Sequence, residues 1–246
     1  MKIAMIGTGK MGMAAAAAAR QSGHEIVFEI NHLNRADFSI DDLKKVDIAI
    51  EFTQPDAVVD NLYWCLEAGI SVVTGTTGWH DQYAEVHTRF EKEKGSLLTA
   101  TNFSVGVNIM FELSKQLASW MKDHPQYQPS MQETHHTRKL DKPSGTAVTL
   151  ALDVLQNHPQ YKNWGLKEGN NTPENNVLPI RSIRENDVIG MHEVTWTSPI
   201  DKISIAHEAF NRDGFAQGAV LAAEWLRGKI GVFGMADVLF GERKQK

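Results

Sequence analysis

Lys2-Ile3-Ala4-Met5-Ile6-Gly7-Thr8-Gly9-Lys10-Met11-Gly12-Met13-Ala14-Ala15-Ala16-Ala17-Ala18-Ala19-Arg20 is the stretch on which the fold turns. Its first five residues read as a buried strand, and its alanine run is a strong helix former. Between them stands Gly7-x-Gly9-x-x-Gly12. Strand, G-x-G-x-x-G and helix in that order is the context a dinucleotide-binding turn requires, because glycines permit a tight turn, close backbone approach to a pyrophosphate and close helix–strand packing.

Working outward, residues 25–31 (Glu-Ile-Val-Phe-Glu-Ile-Asn) form a second strand after Ser22-Gly23. A ribose-binding residue is expected roughly 20 positions beyond the glycines, where the strand ends in Asn31. Asn31 can hydrogen-bond a ribose hydroxyl without repelling a 2′-phosphate, with Lys10, His32 and Arg35 as nearby positive charge. Glu29, on the same strand face, and Asp37 can take the acidic role instead. Residues 46–52 read as a third strand, and Pro55 opens a helix that Gly69 ends. A fourth strand runs over 70–74, a helix over 80–94 and a fifth strand over 96–100. Gly75-Thr76-Thr77-Gly78 and Thr101-Asn102-Phe103-Ser104 stand at the C-terminal ends of successive strands, the edge where an open parallel sheet binds ligands. The alternation predicts α/β architecture with a Rossmann-type, doubly wound parallel sheet.

The pattern then changes. A long apolar helix is expected from about Ile109 to Met121, and residues 130–135 read as a strand leading into Glu133-Thr134-His135-His136-Thr137-Arg138-Lys139-Leu140-Asp141-Lys142-Pro143-Ser144-Gly145-Thr146-Ala147. An apolar run with helical spacing, residues 147–155, follows at once. Ser144 or Thr146 can cap that helix, leaving first-turn N–H groups at a positive dipole end, which suits a carboxylate or phosphate. His135, His136 and Lys139 lie just upstream, so an anion and a proton donor can meet there. The polar stretch 157–179 reads as a long loop. Strands over 177–184, 191–196 and 202–208, without intervening helices, predict a mixed sheet with one covered face, hence a second, α+β domain. A last helix over about 215–229 can pack back on the first domain.

Net charge is −5 over 246 residues, so no nucleic-acid or anionic-membrane footprint is expected. No run approaches the ~20 apolar residues of a membrane span, and Met1-Lys2-Ile3-Ala4-Met5-Ile6 lacks the pattern of a signal peptide. The single Cys65 allows no internal disulfide and reads as a core thiol in a cytoplasmic protein. No metal is expected, since acidic and histidine ligands are not clustered at metal spacing. His80, His87, His124 and His158 suit the surface; Trp64, Trp120 and Trp225 suit core or interface. His192 and His207 fit strand packing and substrate contact alike.

Taken together, the glycine turn, Gly75-Thr76-Thr77-Gly78, Asn102-Phe103-Ser104-Val105-Gly106-Val107-Asn108 and the motif from Glu133 to Ala147 resemble the 4-hydroxy-tetrahydrodipicolinate (dihydrodipicolinate) reductase family of lysine and diaminopimelate synthesis. The likeness runs essentially end to end and includes Arg184, Gly190, His192, His207 and Arg212. It implies that His135 is the general acid/base and Lys139 the proton donor. His136, Gly145 and Thr146 would hold a small dicarboxylate substrate, with Ser144 beside them. Gly7, Thr8, Gly9, Lys10, Met11 and Gly12, then Gly75, Thr76 and Thr77, then Ala100, Thr101, Asn102 and Phe103 would surround NADPH or NADH. The resemblance further implies a dinucleotide-binding domain of residues 1–104 and 215–246, a substrate-binding and oligomerisation domain of residues 105–214, a hinge between them, and a homotetramer. Lys10 stands where the family usually has arginine, and Asn31 where an acid is common. Two alternatives remain: another two-domain nicotinamide-dependent reductase, and a non-catalytic NAD(P)-sensing regulator. Gly75-Thr76-Thr77-Gly78 in place of a Lys-Pro motif speaks against the first, and His135 with Lys139 against the second.

Overall fold

The computed structural model describes residues 1–167 and 176–241. Among these, the elements of the N-terminal part are β1 (Lys2–Ile6), α1 (Lys10–Gln21), β2 (Glu25–Ile30), α2 (Ile40–Leu43), β3 (Ile48–Glu51), α3 (Val58–Ala68), β4 (Ser71–Thr74), α4 (Tyr83–Lys92) and β5 (Ser96–Thr99). Then follow α5 (Val105–Met121), β6 (Gln128–His135), α6 (Gly145–Asn157), β7 (Asn163–Leu166), β8 (Val177–Arg184), β9 (Gly190–Thr197), β10 (Lys202–Ala209), α7 (Asp213–Leu226), β11 (Gly231–Phe233) and α8 (Met235–Phe240). The chain divides into two compact units, Met1–Val105 with Asp213–Lys246, and Gly106–Arg212.

The first unit is a six-stranded sheet in the order β11-β5-β4-β3-β1-β2, parallel throughout. From β1 the chain moves outward to β2, then returns past β1 to β3 and continues the other way. That reversal creates a crevice at the C-terminal ends of β1 and β3, the usual ligand position in such sheets. The central strands are apolar on both faces because helices cover both: Ile3, Met5, Ile48 and Ile50 lie in one core cluster and Ala4, Ile6 and Ala49 in another. Ala15, Ala16 and Ala19 of α1 share the first cluster with Ala216, Ala219 and Ala223 of α7, so small side chains line both helices. The expected return of the last helix is therefore observed. The sixth strand, β11, has no counterpart in the sequence reading. Its three residues carry too little pattern to be seen locally, and pairing with β5 makes them a strand.

In the second unit the sheet order is β10-β9-β6-β8-β7, with β6 parallel to β8 and antiparallel to β9. Helices α5 and α6 cover one face, where Met110, Leu117 and Ala118 of α5 and Leu150 and Val154 of α6 meet Met131, Ile180, Val194 and Trp196. Edge strand β10 is largely exposed. This is the mixed, one-face-covered sheet the alternation predicted.

Several local expectations are corrected. Helix α5 begins at Val105 rather than near Ile109; buried Val107 and Met110 override the poor helix propensity of Gly106 and the β-branched valines. The stretch 157–179 is not one loop: β7 pairs in parallel with β8, which itself starts at Val177. Residues 168–175 of that stretch lie outside the described residues. His158 is not a surface residue; it is 2% exposed and packs between the rings of Tyr161 and Trp196. Trp64 is core, whereas Trp120 is 63% exposed and joins no core cluster of the described residues. Cys65 is a free, buried thiol as expected.

Candidate functional site

In the first unit, the loops at the C-terminal sheet edge pack on one another. Gly7 has φ +98°, and a Cβ there would stand 2.0 Å from Phe52 O; one at Gly12 would stand 1.8 Å from Gly7 O. Neither position tolerates a side chain, so the turn is compressed against β3 and into α1. Gly9 is different. A Cβ there would meet no heavy atom within 4 Å, and as N-cap of α1 it offers no side chain to the first-turn N–H groups. Open backbone at an uncapped helix N-terminus is what a pyrophosphate requires, so this turn fits the dinucleotide expected from the sequence.

The flanking loops divide into exposed residues and residues that shape the edge. Thr77, Thr101 and Lys10 are exposed, while Thr8, Met11, Gly75 and Ala100 are half-buried. Thr76 and Asn102 are turned inward: Thr76 Oγ1 accepts from Thr53 N at 2.8 Å, and Asn102 Oδ1 accepts from Ser104 N at 2.9 Å. Phe103 is 2% exposed and meets Phe52 edge-on, so it supports the loop from below. Asn31 is half-buried, and its Oδ1 accepts from Leu33 N at 2.9 Å. Glu29 is paired with Arg20, and the Arg35 guanidinium lies 3.2 Å above the Trp64 ring. Those two charges are committed within the chain.

One buried carboxylate went unremarked in the sequence. Glu51, at the end of β3, is fully buried; its carboxylate accepts from Thr53 N at 3.0 Å, from Thr74 Oγ1 at 2.5 Å and from the Thr53 hydroxyl. Burial raises its pKa above the ordinary value, and these hydrogen bonds only partly oppose the shift.

The second unit builds its site along the helix-covered face of the sheet. Successive residues of a strand alternate faces, so Met131, Glu133 and His135 of β6 share one. The face runs from the apolar core at Met131 to a polar end at His135. Register then fixes the neighbours: Glu133 lies between Ser182 on β8 and His192 on β9, His192 faces His207 on β10, and His135 lies beside Arg184. Ser144 caps α6 as anticipated, its Oγ accepting from Ala147 N at 3.2 Å. Thr146, the other candidate cap, lies inside the helix.

Glu133 gathers these groups. Its carboxylate accepts from Ser144 N at 3.0 and 3.2 Å, from the Ser182 hydroxyl, and from both terminal nitrogens of Arg184 at 3.4 and 3.3 Å. His135 Nδ1 lies 3.4 Å from Oε2 without hydrogen-bond alignment, and His192 Nε2 lies 3.8 Å from the same oxygen while bonding Ser144 Oγ at 3.1 Å. The two imidazoles pack edge-to-face, centroids 5.0 Å apart. Burial pushes the Glu133 carboxyl up, but the bonds from Ser144 and Ser182 and the nearby His135 outweigh it, so its pKa falls below the usual value. Burial carries His135 down to about 4; Glu133 opposes the shift, and Lys139 and Arg184 reinforce it. Burial and the neighbouring His135 take His192 to about 3. At neutral pH the group is an anion, a guanidinium and two neutral imidazoles.

The structure thus brings together ligand atoms of Glu133, His135 and His192 within 4.8 Å of one another, a grouping the sequence reading lacked. Arg184 already places a positive charge on that carboxylate, which disfavours a further cation. Lys139 Nζ pairs with Asp141 at 2.9 Å, and His136 Nε2 lies 3.5 Å from Arg212. Ser144 is 2% exposed with its hydroxyl and N–H both engaged, so it shapes the site, whereas Gly145 is exposed at the helix start. Period-two spacing alone could have put Glu133 on the face of His135. Its pairing with Ser182 and His192 depends on register and had no local signal.

A parallel sheet with a glycine turn at its ligand edge, joined in one chain to a unit bearing an imidazole–lysine site, defines a nicotinamide-dependent oxidoreductase. Residues 1–103 match the family described as "Dihydrodipicolinate reductase, N-terminus" and residues 106–239 the one described as "Dihydrodipicolinate reductase, C-terminus". The 4-hydroxy-tetrahydrodipicolinate reductase of Christiangramia forsetii is 43% identical over 97% of this chain and 98% of its own length. That of Neisseria meningitidis is 34% identical over 80% of this chain and 74% of its own. A solved structure, the dipicolinate-bound dihydrodipicolinate reductase of Paenisporosarcina sp. TG-14, superposes with a TM-score of 0.79 at 22% identity, covering 97% of this chain and 99% of that one, and shows the same fold. The chain belongs to the 4-hydroxy-tetrahydrodipicolinate (dihydrodipicolinate) reductase family, oxidoreductases of lysine biosynthesis that use NADH or NADPH. Among the described residues no helix is long and apolar enough to cross a membrane.

Proposed function

We propose that this chain reduces 4-hydroxy-tetrahydrodipicolinate to tetrahydrodipicolinate, with the nicotinamide cofactor held by the unit of Met1–Val105 and Asp213–Lys246 and the substrate by Gly106–Arg212. The observation that carries the reading is the end of β6. There His135 stands beside a Ser144-capped helix start, in a setting that also holds Lys139, Arg184 and Arg212. When bound, the cofactor supplies hydride to the conjugated, imine-type substrate. The chain's own task is to hold two carboxylates and to neutralise the charge that reaches the ring. Gly145 at the helix start, Thr146 and His136 beside Arg212 suit the first task, since helix N-termini and cations stabilise carboxylates. Lys139 suits the second as proton donor, with His135 as general acid/base. Two substrate carboxylates near His135 raise its proton affinity from the low value of the free chain, which brings it into a useful range. In the other unit, Gly9 and its neighbours take the pyrophosphate, the Asn31 amide takes a ribose oxygen, and Thr77 and Thr101 line the open edge.

The test supplies substrate from pyruvate and aspartate semialdehyde through the preceding synthase and follows NADH and NADPH oxidation. Enzyme-dependent oxidation is expected, with His135→Gln and Lys139→Ala each lowering kcat about 10²-fold or more while sparing cofactor affinity. Near-normal kcat in both variants removes these residues from the mechanism. A homotetramer assembled through second-unit sheets is part of the proposal. It is supported by the exposed strand β10, with Ile203 at 42% exposure, and is checked by light scattering of the purified protein. The free thiol of Cys65 suits the cytoplasm.

A further inference from the structure

We propose that Glu133 is a positioning residue for the proton-transfer step: it orients the His135 ring through Nδ1 and supplies the counter-charge that lets that ring carry a proton when substrate is bound. The proposal rests on the reading of His135 as the acid/base.

The argument starts from how the two carboxylate oxygens are used. Both Arg184 contacts and the Ser182 hydroxyl fall on Oε1. Oε2 takes Ser144 N at 3.0 Å and faces His135 Nδ1 at 3.4 Å and His192 Nε2 at 3.8 Å. One oxygen is therefore neutralised by a guanidinium, and the other is directed at the histidines. His135 Nδ1 is buried without a hydrogen bond. A small rotation of the ring would bring a proton on Nδ1 into line with Oε2, 3.4 Å away, and leave Nε2 as the working atom. On another side Gly190 lies close to the ring, and a Cβ there would come within 3.2 Å of Nε2. The carboxylate and the edge-to-face His192 ring flank the imidazole, and Gly190 leaves room beside Nε2.

A buried imidazole gains a proton only if something nearby accepts the charge. The charged and titratable groups around His135 are Lys139 and Asp141 of the loop after β6, Arg184 on β8, His192 on β9 and Glu133 on its own strand. Lys139 and Arg184 oppose protonation, Asp141 is already paired with Lys139, and His192 is neutral. Glu133 is the anion in direct reach, and four donors hold it in place. A cap for α6 alone would need one acceptor atom for Ser144 N–H. It would not need a second oxygen turned to two imidazoles.

The experiment is Glu133→Gln, which keeps the shape and the acceptor for Ser144 N–H but removes the charge. Nitrogen-15 NMR of the histidine rings, with pyridine-2,6-dicarboxylate as the bound probe, is expected to show His135 titrating at lower pH than in the unaltered protein. The His135-dependent limb of the kcat profile should move the same way, kcat at pH 7 should fall about tenfold or more, and KM for NADPH should stay constant. Glu133→Asp, which retains the charge, should restore the position of the limb even if kcat stays low. Ser182→Ala is a second probe that leaves residue 133 intact. With one donor fewer on Oε1 the carboxylate is less neutralised, and His135 should titrate at higher pH. Unchanged His135 titration in Glu133→Gln overturns the proposal; should that variant not fold, unchanged titration in Ser182→Ala does so. If His135→Gln is inactive while Glu133→Gln keeps its rate and profile, only the role of Glu133 fails. If His135→Gln is fully active, the reading of the acid/base itself fails.

Discussion

Each unit buries one glutamate completely beside its ligand-facing loops, and the two are treated in opposite ways. Glu51 in the dinucleotide-type unit is met by threonine hydroxyls and one amide; burial outweighs them, and its pKa rises. Glu133 in the other unit is met by two serines, a guanidinium and two imidazoles, and its pKa falls. Hydrogen bonds alone tie the ends of β3 and β4 together around a carboxyl that leans toward neutrality. Hydrogen bonds from Ser144 and Ser182, with His135 close by, outweigh burial at Glu133 and favour the charged form. The first arrangement is a structural knot under the cofactor edge. The second surrounds His135, the acid/base of the proposed reaction.

The largest effect that tests this contrast is on stability. Glu133→Ala leaves Arg184 facing two imidazoles without its anion, and removing one partner of a buried pair costs about 3–5 kcal/mol. Glu51→Ala leaves only hydroxyls and an amide unpaired, about 1–3 kcal/mol. Urea unfolding measures both; equal losses would erase the distinction.

Next in size is the pH dependence. His135 and His192 are neutral when folded, with values of about 4 and about 3 against an ordinary 6.5. Their contribution is thus full above 6.5 and is lost as pH falls below it, because the unfolded chain takes up protons that the folded one refuses. Glu133, with its lowered value, loses its contribution further down, as pH falls through the folded pKa. Glu51 has the opposite sign: its raised value stabilises below the ordinary carboxylate range, and the benefit is lost as pH rises through the folded pKa. Hydrogen exchange followed strand by strand should show β6 and β9 losing protection on acidification below 6.5 before β3 and β4 do. Glu51→Gln should flatten the dependence in the first unit alone.

The smallest effect sharpens the comparison on the side of chemistry. Gly190→Ala places a methyl 3.2 Å from His135 Nε2. A displacement of a few tenths of an ångström should lower kcat by about tenfold or less, with stability nearly unchanged. A wild-type rate would mean that the ring is not held as tightly as the packing indicates.

How far the sequence reached can be read from particular residues. Gly7 and Gly12 announced the turn because only glycine fits where a Cβ would lie 2.0 or 1.8 Å from a carbonyl oxygen, and such constraints leave a local mark. Ser144 before an apolar helical run announced its cap in the same way. Strand β11 escaped notice because three residues acquire strand identity only from β5, and β7 because its partner, β8, lies beyond an intervening segment. His158 passed for a surface residue because nothing in its neighbours 157 and 159 foretells its packing against Trp196, far along the chain.

By itself the sequence determined the alternation of strand and helix, the glycine turn, the capped start of α6 and the residue types available for proton transfer. Each of these depends on groups only a few residues apart, where steric limits and capping act directly. Only the tertiary structure decided in which direction each buried glutamate's pKa is pushed. Strand register placed Ser182 and His192 on either side of Glu133 and brought Arg184 within 3.3 Å of it. Burial and charge pairing are properties of neighbours in space, so the same residue type at position 51, among threonines, took the other protonation tendency.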